Sequence, residues 1–118
     1  IINHVNNQLA NTFAALADPT RFQVVEVLRG RQLSAGEIAA KCSTSGPAMS
    51  RHLRVLRRTG VVEVVPAPNQ EQDARLRMYR LRREPFLAVE DWVDHVRGFW
   101  NRQLNSFKSY AEGKGKRK

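Results

Sequence analysis

Arg51, Arg54 and Arg58 stand three and four residues apart in a run, residues 45–60, that contains no acidic residue. A guanidinium is a planar fork of donors that matches two phosphate oxygens or the O6 and N7 edge of guanine, so this spacing points to nucleic-acid chemistry. Arg51 lies nearest the start of the run and suits a guanine edge; Arg54 and Arg58, further along, suit the sugar-phosphate backbone, which positions without specifying. Pro47 and Ser50 flank Arg51 and suit base edges or thymine methyls. Ser45 and the free amides at the helix start suit a phosphate, as helix starts do, which adds Gly46 and Ala48 to the candidate contacts. His52 falls at the margin of the apolar side and reads as a structural or phosphate-contacting histidine.

An element must hold these side chains on one side. At 100° per residue, Met49, Leu53 and Leu56 fall within roughly 60° of one another, with Pro47, Arg51, Arg54 and Arg58 opposite. The run predicts a helix, dry on one face and cationic on the other. Ser45 serves as N-cap, Pro47 suits the first turn, and Gly60 suits a left-handed stop. Just before it, Ser34-Ala35-Gly36-Glu37 reads as a capping box that opens a short helix over 35–41, with Ile38 and Ala39 facing the core. Residues 42–45 alone separate the two helices, which is the helix-turn-helix arrangement, and the second helix of such a pair is the one that enters a major groove.

After Gly60, Val61, Val62, Glu63, Val64 and Val65 form a β-branched run of strand type, ended by Pro66 and Pro68. Residues 69–74 are turn-prone, and 76–82 return as a strand carrying Met78, Tyr79 and Leu81. The alternation is imperfect and leaves the buried face open. A hairpin directly after such a helix is a wing, charged by Arg75, Arg77, Arg80, Arg82 and Arg83. Arg75 and Arg77 are its candidates for the adjacent minor groove or phosphates; Arg80 and Arg82 are placed to pair with Glu63 instead.

Two outer helices frame this unit. Val5, Leu9, Phe13 and Leu16 mark one over residues 3–17. Asp18-Pro19 then opens another, in which Phe22, Val25, Val27 and Leu28 are apolar, ending near Gly30. Pro85 opens the last helix with Glu84 at its cap, and Val89, Trp92, Val93, Val96, Phe99, Trp100, Leu104, Phe107 and Tyr110 share one stripe over about 26 residues. That stripe is either intrachain core or, being longer than a small domain can cover, the seam of a two-fold dimer. The dimer reading puts Val5, Leu9, Phe13, Trp92, Val96, Phe99, Trp100 and Leu104 at the interface. The architecture expected is mainly α with a small β-hairpin: a winged helix-turn-helix over residues 1–112, dimeric through its N- and C-terminal helices, then a disordered basic tail, 113–118.

Composition agrees with an anionic partner. Lys and Arg number 20 against 11 acids in 118 residues, a formal charge of +9, which favours nucleic acid first and an anionic membrane surface second. A hydrophobic content of 42% argues against disorder. The single Cys42 rules out an internal disulfide and suits a reducing cytoplasm. No apolar run is long enough to span a membrane. Enzyme chemistry finds no glycine-rich phosphate loop, no nucleophile elbow and no paired carboxylates outside the last helix, and no cofactor motif is present.

With these features assembled, the chain resembles the ArsR/SmtB winged helix-turn-helix repressors. The likeness rests on the blocks from Phe13 to Phe22 (FAALADPTRF), from Leu33 to Ala39, from Met49 to Val62 (MSRHLRVLRRTGVV), and Tyr79-Arg80-Leu81, and covers roughly residues 9–82. It implies a homodimeric, sequence-specific regulator that binds double-stranded DNA at an inverted repeat through the helix at 45–59 and the wing, with no membrane association. Metal-sensing members place cysteines where this chain has Ser34 and Gly36, and a second family site uses Asp-x-His and His-x-x-Glu on the last helix, where this chain has only the adjacent Asp94 and His95. The expected member therefore lacks the usual metal sites. Its effector is unassigned, with a redox role for Cys42, a metal site near His4, Asp91, Asp94 and His95, or a pocket among Trp92, Phe99 and Trp100 as candidates. The alternatives are a winged-helix module for protein or RNA, and a metal- or redox-responsive repressor with a non-standard site.

Overall fold

The computed structural model describes residues 2–66 and 77–116, with side chains over 7–66 and 77–113. Within it the chain divides into two compact units, Ile1–Pro85 and Phe86–Lys118. The first holds the helices α1 (Ile2–Leu16), α2 (Pro19–Leu28), α3 (Ala35–Lys41) and α4 (Gly46–Arg58), and a three-stranded sheet. The second is the bulk of one long helix, α5 (Arg83–Lys116).

Caps written in the sequence set the helix starts. The Asp18 carboxylate accepts from the amides of Thr20 (2.9 Å) and Arg21 (3.0 Å), and Pro19 occupies the first turn of α2, where a missing N–H costs nothing. Ser34 and Glu37 close the expected capping box at α3: the Glu37 amide donates to Ser34 Oγ at 3.2 Å and the Ser34 amide to Glu37 Oε1 at 2.9 Å. That reciprocal bond from the Ser34 amide holds the Glu37 carboxyl below its ordinary range. Ser45 caps α4, accepting from the Ala48 amide.

The sheet orders its strands β1 (Leu33–Ser34), β3 (Arg77–Leu81), β2 (Val62–Pro66), all antiparallel neighbours. Register pairs Val62 with Leu81, Glu63 with Arg80, Val64 with Tyr79 and Pro66 with Arg77. Cross-strand partners share a face. Val62, Val64, Tyr79 and Leu81 therefore line one side, joined by Leu33 opposite Tyr79, while Glu63 and Arg80 lie on the other. β2 starts at Val62 rather than Val61, because the Val61 amide is spent on Leu56 O at 2.9 Å, closing the preceding helix. β1 has no sequence signal: two residues are too short to show alternation.

The core lies where α2, α3, α4 and the sheet meet. Val24, Leu28, Ile38, Met49, Leu53, Leu56, Val61 and Val62 are its largest fully buried side chains. Each such aliphatic contributes about 1.5–3 kcal/mol on burial. Within α2 the packed ridge is Val24, Val25 and Leu28, while Phe22 stays 53% exposed. In α1 the buried residues are Thr12 and Ala15, whereas Leu9 and Leu16 are half-buried and Phe13 is exposed. The apolar stripe read from sequence is thus offset from the side that packs inward.

α5 departs from expectation at both ends. It begins at Arg83, which makes Pro85 a first-turn residue, and it runs 34 residues through Lys116, past the point where a disordered tail was expected to start; residues 117 and 118 lie outside the described residues. At 1.5 Å per residue it is about 51 Å long.

Two left-handed residues end the helices that matter most, Ser43 (φ 50°) after α3 and Gly60 (φ 80°) after α4. A Cβ built on Gly60 meets Arg82 Nη1 at 2.9 Å, whereas Ser43 holds a conformation that glycine adopts freely. Opposite signs are expected: Gly60→Ala lowers unfolding stability by about 1–2 kcal/mol and Ser43→Gly raises it by up to about 1 kcal/mol in urea titrations. Equal behaviour of the two would show that the turn conformations do not carry this strain.

Candidate nucleic-acid interface

The turn between α3 and α4 is fixed by backbone hydrogen bonds. Thr44 N donates to Ala39 O (2.9 Å) and Ser43 N to Ala40 O (3.3 Å), the paired closure of a Schellman motif with Ser43 at its left-handed position. Thr44 Oγ1 adds a bond to Cys42 O at 3.0 Å. α4 ends in the same way, with Gly60 N to Arg57 O (3.1 Å) and Val61 N to Leu56 O (2.9 Å). Both ends of the helix are therefore set by geometry, and its position is set by packing on α2, α3 and β2.

α4 presents the two faces expected of it. Met49, Leu53 and Leu56 are buried, with Met49 and Leu56 at zero exposure. Gly46, Pro47, Ser50, Arg51, Arg54 and Arg58 are exposed, and Ala48 and His52 are half-buried. Ser45 is exposed as well, its hydroxyl engaged at 3.3 Å by the Ala48 amide. None of Arg51, Arg54, Arg57 and Arg58 forms an ion pair among the described residues. Arg57 was missed from sequence because the helical projection puts it about 80° from Met49, nearer the apolar ridge; in the fold it is exposed with the rest. Four guanidiniums with no acid beside them keep their full charge and donor capacity for an external anion.

The wing divides its arginines. Arg80 Nε donates to Glu63 Oε2 at 2.7 Å, and Arg82 lies 4.0 Å from Glu63 and 3.6 Å from Glu84. Their charge is compensated by Glu63 of the hairpin, as anticipated, and for Arg82 also by Glu84 at the start of α5. Arg77, on the last rung opposite Pro66, is exposed with no ionic partner among the described residues, and Arg83 belongs to α5 rather than to the wing. Arg75 lies outside the described residues.

Other candidates resolve into structural roles. Cys42 caps α3 and is buried, which pushes its thiol up and suppresses the reactive thiolate. His95 contacts its own helix, with Nδ1 2.8 Å from Asp91 O and 3.8 Å from the Asp91 carboxylate, while Asp94 pairs with Arg97 at 3.3 Å. The His4 side chain lies outside those described. Among the described residues no three His, Cys, Asp or Glu side chains converge to hold a metal ion. No helix among them is long and apolar enough to cross a membrane.

Of the residues expected at a dimer seam, Phe13, Trp92, Phe99, Trp100 and Leu104 are exposed and Leu9 and Val96 half-buried, with the Val5 side chain outside those described. Phe99 and Trp100 meet edge to face, their ring centroids 5.5 Å apart.

A family model described as a helix-turn-helix domain matches residues 16–65, the span from α2 through β2. Over 101 residues the chain is 34% identical to the HTH-type transcriptional regulator Rv2034 of Mycobacterium tuberculosis, covering 86% of each protein. Its fold matches that of an ArsR-like transcriptional regulator from Rhodococcus sp. RHA1, 29% identical, with a TM-score of 0.74 over 91% of this chain and 93% of that one. The chain belongs to the ArsR family. Members of that family are winged helix-turn-helix regulators of transcription, and α3, α4 and the β2–β3 wing supply those parts here. The Transcriptional repressor SdpR of Bacillus subtilis is 38% identical over 52 residues, 44% of this chain, and the match spans 58% of that protein's length. This ArsR-family chain is accordingly a DNA-binding transcriptional regulator.

Proposed function

We propose that the protein represses transcription by binding an inverted-repeat operator as a homodimer. α4 lies in the major groove with Arg51 towards base edges, flanked by Pro47 and Ser50. Arg54 and Arg58 hold phosphates, Ser45, Gly46 and Ala48 bring the helix start to the backbone, and Arg77 with Arg75 extends contact to the adjacent minor groove. The observation that carries this reading is the acid-free arginine face of α4, unpaired among the described residues and backed by a buried Met49-Leu53-Leu56 ridge. The exposed aromatics of α5 and the exposed Phe13 of α1 support the dimer, for which we propose Val5, Leu9, Phe13, Trp92, Val96, Phe99, Trp100 and Leu104. The protein works in the cytoplasm, where its duplex partner is, and has no catalytic role.

Selection of bound duplexes from a randomised pool, followed by footprinting, tests this. Enrichment of two inverted half-sites about 10 base pairs apart, or a multiple of that, is the expected outcome. A pool that enriches no symmetric sequence would remove the dimeric operator reading.

A further inference from the structure

The imidazole of His52 stands apart from the arginines around it. On the helical projection it sits between the buried ridge and the arginine face, and its neighbours one turn away along α4 are Ala48, Met49, Val55 and Leu56, all apolar. The charged group that faces it comes from another element: Asp18 Oδ1, 3.8 Å from His52 Nδ1, with the two side chains 32% and 23% exposed. That carboxylate is not free to swing. The amides of Thr20 and Arg21 fix it, and donation from the Arg21 amide is the chief reason its carboxyl stays below the ordinary range and therefore charged near neutrality.

Of the charges on the other elements packed against α4, the Arg21 guanidinium of α2 acts on the same Asp18 carboxylate and helps to keep its carboxyl low, while the rest are engaged elsewhere or stand apart from this pair. Arg21 of α2 donates its Nε to Ala15 O at 2.8 Å, Glu37 of α3 closes the capping box, and Glu63 of β2 is held by Arg80. Lys41 at the end of α3 is exposed and forms no ion pair with His52 or Asp18.

We propose that His52 is a proton-dependent phosphate contact of the reading helix and that Asp18 is the residue that positions it. This rests on α4 being the DNA-reading helix. A fixed carboxylate beside Nδ1 favours the tautomer with the proton on Nδ1. In the neutral ring Nε2 is then an acceptor, and a phosphate oxygen, itself only an acceptor, gains nothing from it. One proton taken up at Nε2 turns that edge into a charged donor. DNA binding and proton uptake are thereby coupled, and each favours the other. The fold supplies the geometry from the α1–α2 corner, so the same aspartate that starts α2 also orients a side chain of α4.

The test uses a fluorescent 30-base-pair duplex of random sequence, with affinity measured at fixed ionic strength from pH 6 to pH 8. Wild-type protein should bind at least about fivefold tighter at pH 6 than at pH 8, and calorimetry in buffers of different ionisation enthalpy should record net proton uptake on binding. His52→Gln should reduce the pH effect to under about twofold. Asp18→Asn keeps a capping oxygen but removes the charge that positions the ring, and should reduce the pH effect. The His4→Gln/His95→Gln double variant should keep the wild-type profile, since those are the other two histidines of the chain. Wild-type pH dependence in His52→Gln, an Asp18→Asn profile superimposed on wild type, or binding without proton uptake would each overturn the pair while leaving α4 as the reader. Failure to bind any duplex at any of these pH values would overturn the reading of α4 itself, and the proposal with it.

Discussion

Arg51→Ala is expected to weaken binding to the selected operator by about 30-fold or more and to flatten its base preference at one position in each half-site. The magnitude follows from what a guanidinium fork supplies: a bidentate pair on guanine O6 and N7 is worth about 1–3 kcal/mol of discrimination, and a dimer makes it twice. Nothing inside the described fold compensates for the loss. Arg51 is exposed, forms no ion pair among the described residues, and sits one turn into a helix whose start is fixed by Ser45 and Pro47. Its removal should leave the thermal midpoint unchanged, because it contacts neither the Met49-Leu53-Leu56 ridge nor a cap. Arg54→Ala is the control that separates specification from grip. It should weaken operator and random duplex alike and reduce the slope of log affinity against log salt by about one per protomer. Competition titrations against operator variants at two salt concentrations distinguish the two outcomes. Equal losses on operator and random DNA for Arg51→Ala would place Arg51 on the backbone rather than in the groove.

Much of this was legible in the chain because local chemistry and tertiary demand agree there. Ser34 with Glu37, Asp18 with Pro19 and Ser45 with Pro47 are caps that work through neighbours within three residues, so reading them requires no knowledge of the fold. The ridge of α4 is legible for the same reason, since one helix turned through 100° per residue separates Met49, Leu53 and Leu56 from the arginines. What escaped depends on distant partners. The face of α1 that packs is set by close approach of Thr12 and Ala15, small residues that an apolar stripe does not flag. β1 exists because Leu33 and Ser34 find Tyr79 and Met78 more than forty residues away. Ser43 takes a left-handed turn that sequence assigns to glycine, because α3 must stop there for α4 to start. In the wing, the division of Arg77 from Arg80 was legible from Glu63 on the facing strand, whereas the second partner of Arg82, Glu84 at the start of α5, was not. The Asp18–His52 approach joins residues in two elements and has no local signature.

Trp100→Glu is expected to convert the protein to a monomer at micromolar concentration and to reduce operator affinity by about 100-fold or more. On α5, Trp100 is 57% exposed, Phe99 48%, Leu104 62% and Phe107 73%, a run of large apolar surface along one helix. Fully burying an aromatic side chain contributes about 1.5–3 kcal/mol, Trp100 has a little over half of its surface left to bury, and two-fold symmetry counts it twice, so one substitution removes about 2–3 kcal/mol from the dimer. Placing a carboxylate in the seam adds the cost of desolvating an unpaired charge. DNA affinity falls with it because two half-sites are read jointly: once the copies separate, the second reading helix is no longer held at an effective millimolar concentration beside its half-site. The substitution should leave the Ile1–Pro85 unit folded, since the residues buried in it all lie before Pro85. A retained cooperative unfolding transition, together with sedimentation velocity and operator titration, therefore separates loss of pairing from loss of fold. Pairing Trp100→Glu with Arg51→Ala gives the sharper discrimination: if monomerisation has already removed joint reading, the second substitution acts on one half-site only, and its effect should shrink from the squared to the single factor. A Trp100→Glu protein that sediments as a dimer and binds operator like the wild type would show that the exposed face of α5 is not the seam.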